Sequence, residues 1–206
     1  MLIVNHLYKS FGGVLIVEDL SLRVDAGEVV ALTGMNGAGK TTTLRCIVGA
    51  EDRDSGDISL DGQTLDERDP ETRRRVCALL DDWAWFSDMT VREHLIMFAQ
   101  AHGVEDKAVE AALLDLGLIQ LADRLPGTLS SGQTRRFGLA QALVRPWDVL
   151  ILDEPEQRLD GEGREWLGRY LRVCAEADRS VLMASHDPEL QQASGARVIP
   201  VSVTGR

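Results

Sequence analysis

The stretch Gly34-Met35-Asn36-Gly37-Ala38-Gly39-Lys40-Thr41-Thr42 constrains this chain more than any other. It fits the spacing G-x-x-x-x-G-K-[ST]. The apolar run Val29–Thr33 before it is too short for a helix and reads as a buried strand. Thr42–Val48 after it reads as the first turns of a helix, stopped by Gly49. Glycines at 34, 37 and 39 let the backbone bend so that successive N–H groups converge into an anion nest. The start of the helix adds partial positive charge behind that nest. The pattern predicts a nucleotide phosphate site over Gly34–Thr42. Within it, Lys40 reaches the β- and γ-phosphates and the Thr41 hydroxyl ligates Mg²⁺.

Charge and cysteine usage narrow what surrounds that site. The formal net charge of −11 over 206 residues argues against a nucleic-acid surface, which needs a basic face. With 44% hydrophobic residues the chain can bury a real core in one large domain. Cys46, Cys77 and Cys174 are scattered, odd in number and free of C-x-x-C spacing, so they read as small apolar packing residues. No apolar run reaches the length of a bilayer span, and the first residues lack a signal-peptide pattern. The expectation is a soluble chain with no direct membrane insertion, which meets a membrane only through a partner.

Periodicity divides the chain into a core and an insertion. Leu2–Leu7, Val14–Val17 and Leu20–Val24 read as three short strands, and Asp61-Gly62 marks a tight hairpin within 57–64. Arg73-Arg74-Arg75 reads as a solvated helix end before the strand Val76–Leu80. From Thr90 the period becomes helical, with Thr90 and Glu93 as a capping box, Gly103 as a stop, and a second helix over Glu105–Leu116. His94 and His102 are isolated and read as surface or packing residues. Strand and helix alternation then returns: Val149–Leu152, Trp166–Glu176, Val181–Ala184 and Arg197–Val203. The pattern predicts an α/β core with a helical lobe inserted after Leu80.

A second chemical element follows from the first. The apolar strand 149–152 ends in Asp153-Glu154. Delivered beside the phosphate loop, Asp153 would hold Mg²⁺ through its water shell, and Glu154 could accept a proton from an attacking water.

Three further pieces carry a resemblance. Leu129-Ser130-Ser131-Gly132-Gln133 resembles the LSGGQ signature of ATP-binding cassette (ABC) ATPases, Leu159-Asp160 resembles the D-loop, and Ser185-His186-Asp187 resembles the H-loop. Phe11 stands where that family places an aromatic that stacks on adenine. The motifs occur in the family's order over nearly the whole chain, which is identified as a member of the ABC ATPases, similar to the nucleotide-binding subunits of transporters and most like those of exporters. The resemblance implies a single cassette over 1–206, a P-loop NTPase core of mixed sheet and helices. It also implies an N-terminal antiparallel β part and a helical subdomain at about 82–135. The ligands implied are ATP and Mg²⁺.

The resemblance also implies a mechanism and partners. Two cassettes, identical or not, pair head to tail, and each ATP lies between one phosphate loop and the other subunit's Ser130, Ser131, Gly132 and Gln133. Asp160 lies beside that site, Glu154 is the general base, and His186 contacts the γ-phosphate. An integral membrane permease receives the work, holding the cassette at the inner face of the cell membrane, with Trp83, Trp85 and Phe86 near the expected contact. The sequence departs from the family in three places. Asp81-Asp82 replace a glutamine, making Asp81 a candidate metal ligand; Glu156-Gln157-Arg158 replace small or hydroxyl residues; and Ser131 replaces a glycine. Two alternatives stand beside this reading: a degenerate cassette that binds ATP and regulates a hydrolysing partner, and a non-transport soluble ABC ATPase, a class that calls for long coiled-coil heptads or for paired cassettes with basic surfaces, neither of which is present.

Overall fold

A computed structural model describes residues 1–80 and 84–202. The central sheet is five-stranded and parallel, in the order β6(Val76–Leu79), β7(Val149–Asp153), β8(Ser180–Ala184), β3(Val29–Thr33), β9(Arg197–Pro200). Its three middle strands are apolar without interruption because both faces are covered. Along β7, Leu150 and Leu152 point into one core with Phe137, Leu95 and Leu167. Val149 and Ile151 point into a second core with Leu44, Ile58 and Val4.

That second core lies between the parallel sheet, helix α1(Lys40–Ile47) and a four-stranded antiparallel sheet. The antiparallel sheet runs β2(Val14–Val24), β1(Leu2–Phe11), β4(Ser55–Leu60), β5(Gln63–Thr64). The two segments expected at Val14–Val17 and Leu20–Val24 are one strand, β2. Its pairing with β1 shifts register, and Asp19 takes φ +49, so the break in the pattern is an irregularity rather than a turn. The Asp61-Gly62 hairpin forms between β4 and β5, with both residues at positive φ.

Between β6 and β7 stand α3(Val91–Ala101), α4(Lys107–Asp115), two short 3-10 turns and α5(Ser131–Leu143). Among the described residues no helix is long and apolar enough to cross a membrane. The Thr90–Glu93 capping box is complete, and Gly103 and Gly117 adopt positive φ just beyond the ends of α3 and α4. Helix α5 runs without a break from the lobe into the core, so the expected subdomain edge near residue 135 falls inside a helix.

Helix α2(Pro70–Arg75) ends in the basic triplet, and here the expectation of a merely solvated end needs correcting. Arg75 bridges Asp61 and Asp148, and Arg145 donates to the Arg73 carbonyl, so this end is stitched to the hairpin and to the approach of β7. His94 is buried: its Nδ1 meets the Thr90 carbonyl at 2.8 Å and its Nε2 accepts the Phe86 N–H at 2.9 Å. Its ring also meets the edge of Phe137, which is fully buried. Phe137→Ala should therefore lower unfolding free energy by about 3–5 kcal/mol, read by urea denaturation. A loss below about 1 kcal/mol would remove this residue from the core of the lobe.

Candidate nucleotide site

The parallel register brings three strand ends level. Leu32 and Asp153 both pair with Ala184, so the loops after β3, β7 and β8 emerge side by side. The ladder continues past the strands: Ser185 N–H donates to the Leu32 carbonyl at 3.1 Å, and Glu154 N–H to the Ala184 carbonyl at 2.9 Å. Ligands of open parallel sheets lie at this carboxyl edge.

After β3, Gly34, Gly37 and Gly39 take φ of +152°, +82° and +91°, the bends that the anion nest requires. Gly39 is the N-cap of α1, and a Cβ there would lie 2.7 Å from the Ile16 carbonyl oxygen. Lys40 is buried, and its Nζ donates to the carbonyls of Gly34 at 2.9 Å and Met35 at 3.3 Å, holding the loop closed beneath the cradle. Thr41 Oγ1 donates to Asp153 Oδ1 at 3.2 Å. The hydroxyl and carboxylate expected to share Mg²⁺ are therefore neighbours. Among the described residues no three His, Cys, Asp or Glu side chains cluster as a metal site. One hydroxyl and one carboxylate suit Mg²⁺, which takes hard oxygen ligands and completes its shell with water and substrate phosphate. Asp81, the third expected ligand, lies outside the described residues, as does Trp83.

A cleft of about 430 Å³ opens over this loop, lined by Phe11, Ile16, Asn36, Gly37, Gly39, Lys40, Thr41, Thr42 and Glu154. Met35 points outward and is 86% exposed, whereas Ala38 is buried. Phe11 sits at the rim, with Lys9 Nζ 4.5 Å from its ring centroid. Lys9 is itself fixed by Glu51 and the Asp52 carbonyl, so one ring face rests on a held ammonium. Sequence reasoning passed over Lys9.

Glu154 stands at φ +42°, a left-handed conformation rare for a non-glycine residue. The same turn is held by Arg135, a buried residue of α5 that sequence reasoning also missed. Its guanidinium donates to three successive carbonyls, those of Asp153 at 2.5 Å, Glu154, and Pro155 at 3.2 Å. The turn after β7 is clamped from the helix that begins at the signature residues. His186 is exposed, with Nδ1 3.7 Å from Glu154 Oε1.

The signature residues occupy a different cleft, of about 280 Å³, lined by Ser130, Gly132, Gln133, Arg136, Arg158 and Asp160 among others. It shares no lining residue with the phosphate-loop cleft. Ser130 is the N-cap of α5, and its hydroxyl and the Gln133 side chain form a capping box, leaving Ser131 at the first helical position. The Gln133 amide oxygen is thus already bonded to the Ser130 N–H. Asp160 caps α6(Gly161–Glu176) and receives both Nη2 contacts of Arg136, at 2.7 and 2.9 Å. The Gly163 N–H, and after it the Arg136 guanidinium, hold the Asp160 carboxyl below its ordinary range. The adjacent arginines 135 and 136, set directly before the apolar Phe137, Leu139 and Ala140, were the available signal for both contacts.

The family described as ABC transporter matches residues 17–157. The Nod factor export ATP-binding protein I of Burkholderia lata is 40% identical over 186 residues, covering 88% of this chain and 61% of that protein. The spermidine/putrescine import ATP-binding protein PotA of Chromobacterium violaceum is 41% identical over 193 residues, covering 91% and 53%. The chain thus spans about three-fifths or less of the length of these relatives. A solved ATP-binding subunit of an ABC transporter superposes with a TM-score of 0.88 at 25% identity, covering 98% of this chain and 86% of that one. The fold is the P-loop cassette of the ABC ATPases, with the antiparallel part and helical lobe expected from the sequence. The chain belongs to the ABC transporter family.

Gly132 offers a direct test of the second cleft. A Cβ there would stand 2.8 Å from the Arg158 carbonyl oxygen, so Gly132→Ala must push the start of α5 away from the D-loop. ATP binding by the isolated chain should stay within about twofold while turnover falls about a hundredfold, the cost of misplacing a group by an ångström. Equal loss of binding and turnover would mean that this cleft and the phosphate loop serve one subunit's own site.

Proposed function

We propose that this chain is the ATP-binding and ATP-hydrolysing subunit of a membrane transporter, working as one of two cassettes around ATP and Mg²⁺. The separation of the two clefts carries the reading. One subunit presents a phosphate cradle, and elsewhere a helix N-terminus suited to an anion, with no residue in common. A second subunit, placed head to tail, supplies what each cleft lacks.

Within such a site Phe11 stacks on the base, and the Gly34–Thr42 backbone with Lys40 holds the β- and γ-phosphates. Thr41 and Asp153 would hold the metal, which would neutralise charge on the phosphate oxygens. Glu154 accepts a proton from water as the water oxygen bonds to the γ-phosphorus; the bond to the bridging oxygen breaks and ADP leaves. His186, beside Glu154, faces the γ-phosphate. The partner's residues corresponding to Ser130, Ser131, Gly132 and Gln133 complete the cage.

The work goes to an integral permease, which keeps the cassette at the inner face of the membrane. Trp85 and Phe86 support a contact there, being 38% and 57% exposed. Export is the direction we favour, on the sequence's resemblance to exporter cassettes; identity does not separate the directions, being 40% to a protein named for Nod factor export and 41% to one named for spermidine/putrescine import.

Glu154→Gln keeps the shape of the base and removes its ability to take a proton. It should bind ATP, lose turnover by at least about a hundredfold, and form an ATP-dependent dimer visible by light scattering. A strictly monomeric variant with wild-type turnover would contradict both the base and the paired site. For the permease contact, Trp85→Ala should weaken membrane association and leave ATP binding and melting temperature nearly unchanged. A fall in melting temperature above about 4 °C would assign the side chain to packing instead.

A further inference from the structure

Glu156 is a buried carboxylate that the reaction above does not use. It is 6% exposed, two residues beyond Glu154. Its Oε1 accepts the Ser185 hydroxyl at 2.7 Å, and its buried Oε2 has no hydrogen-bond partner among the described residues. Burial pushes its pKa up from the ordinary glutamate value, and the Ser185 hydroxyl draws it back only in part. A half-satisfied carboxylate in the interior costs stability, and an apolar side chain of similar size would not. Its contribution is therefore to be sought in what it holds.

What it holds is the turn carrying His186. Ser185 is fully buried, and the Oγ that donates to Glu156 also accepts the Asp187 N–H at 3.2 Å. The residues on both sides of His186 thus meet at one hydroxyl, whose own orientation is set by Glu156, while the Ser185 backbone is also held by Leu32 and Gln191 and Asp187 caps the helix Pro188–Ser194. His186 is exposed, and its ring approaches Glu154. On the other side, Arg135 clamps the carbonyls of Asp153, Glu154 and Pro155. Base and histidine lie on separate turns, the first held by Arg135 and the second joined to it through Ser185 and Glu156.

We infer that Glu156 is a positioning residue for ATP hydrolysis, acting through Ser185 to hold His186 against Glu154 and the γ-phosphate. This rests on the hydrolytic reading of the site. It assigns the unusual acid after Pro155 a task in turnover and none in ATP affinity.

The test is steady-state ATP turnover of the purified chain at several ATP concentrations, with thermal melting of each variant. Glu156→Leu should lower kcat about tenfold, leave KM within about twofold, and not lower the melting temperature. Glu156→Gln, whose amide oxygen can still accept the Ser185 hydroxyl, should restore most of kcat. Ser185→Ala should reproduce the loss, and the double variant with Glu156→Leu should lose no more, because both remove one link. Wild-type kcat in Glu156→Leu, or additive losses in the double variant, would overturn the inference. So would a kcat loss that tracks a fall in melting temperature and is not rescued by glutamine. Glu154→Gln separates the two levels. Turnover lost there but kept in Glu156→Leu sinks the positioning role alone, whereas wild-type protein without Glu154-dependent turnover sinks the hydrolytic reading and this inference with it.

Discussion

The register of three parallel strands is the constraint from which the site follows. Leu32, Ala184 and Asp153 lie level, and the backbone bonds of Ser185 and Glu154 carry the ladder one step beyond the strands. The phosphate loop, the histidine turn and the two carboxylates are therefore neighbours without any long side chain having to reach. A slip of one residue in any of these strands would turn its alternating apolar side chains into the opposite core. Both faces of the sheet are filled, so the two cores lock the register, and the register places the chemistry.

Onto that edge the helical lobe is tied by a cation. Arg135 lies on α5, the helix whose N-terminus presents Ser130 and Gly132, and its guanidinium ends on the backbone of the turn bearing Glu154. A buried guanidinium bonded to carbonyls tolerates little displacement, because any lost partner leaves a buried charge poorly satisfied. The signature end of α5 and the turn bearing the proposed base are thus joined through one guanidinium. Arg136 makes a parallel tie from the next residue, to Asp160 of the D-loop. Arg135 thus connects the surface that would face a partner subunit with the proposed base of the same subunit's own site, and Arg136 ties that surface to Asp160.

Much of this was legible in the sequence, for physical reasons. The glycine loop and the strand–acid junction at Asp153 are local, and each requires residue types that few other structures need at that spacing. The Thr90 capping box and the Asp61-Gly62 hairpin are likewise self-contained, and both form. What stayed hidden depends on long-range packing. Val14–Val24 read as two strands because an irregularity interrupts alternation without ending the pairing. Arg75 read as solvated because its partners, Asp61 and Asp148, are distant in the chain. Arg135 and Glu156 look like surface charges in a linear reading, and only the meeting of α5, the β7 turn and the β8 turn buries them. Asp81, the candidate metal ligand that stands in place of the family's glutamine, lies outside the described residues.

The central claim is that each nucleotide lies between the phosphate loop of one subunit and the signature of another. Mixing two inactive variants tests it most directly. Lys40→Ala disables the cradle, and Ser130→Phe blocks the signature cleft at the cost of one helix cap, about 1 kcal/mol. Neither variant alone should hydrolyse ATP. In an equal mixture, half of randomly formed dimers pair one variant with the other, and one of their two sites joins an intact cradle to an intact signature. The mixture should recover about a quarter of wild-type turnover, falling away on dilution as dimers dissociate. A mixture as inactive as its components would contradict a shared site and return the hydrolytic machinery to a single chain.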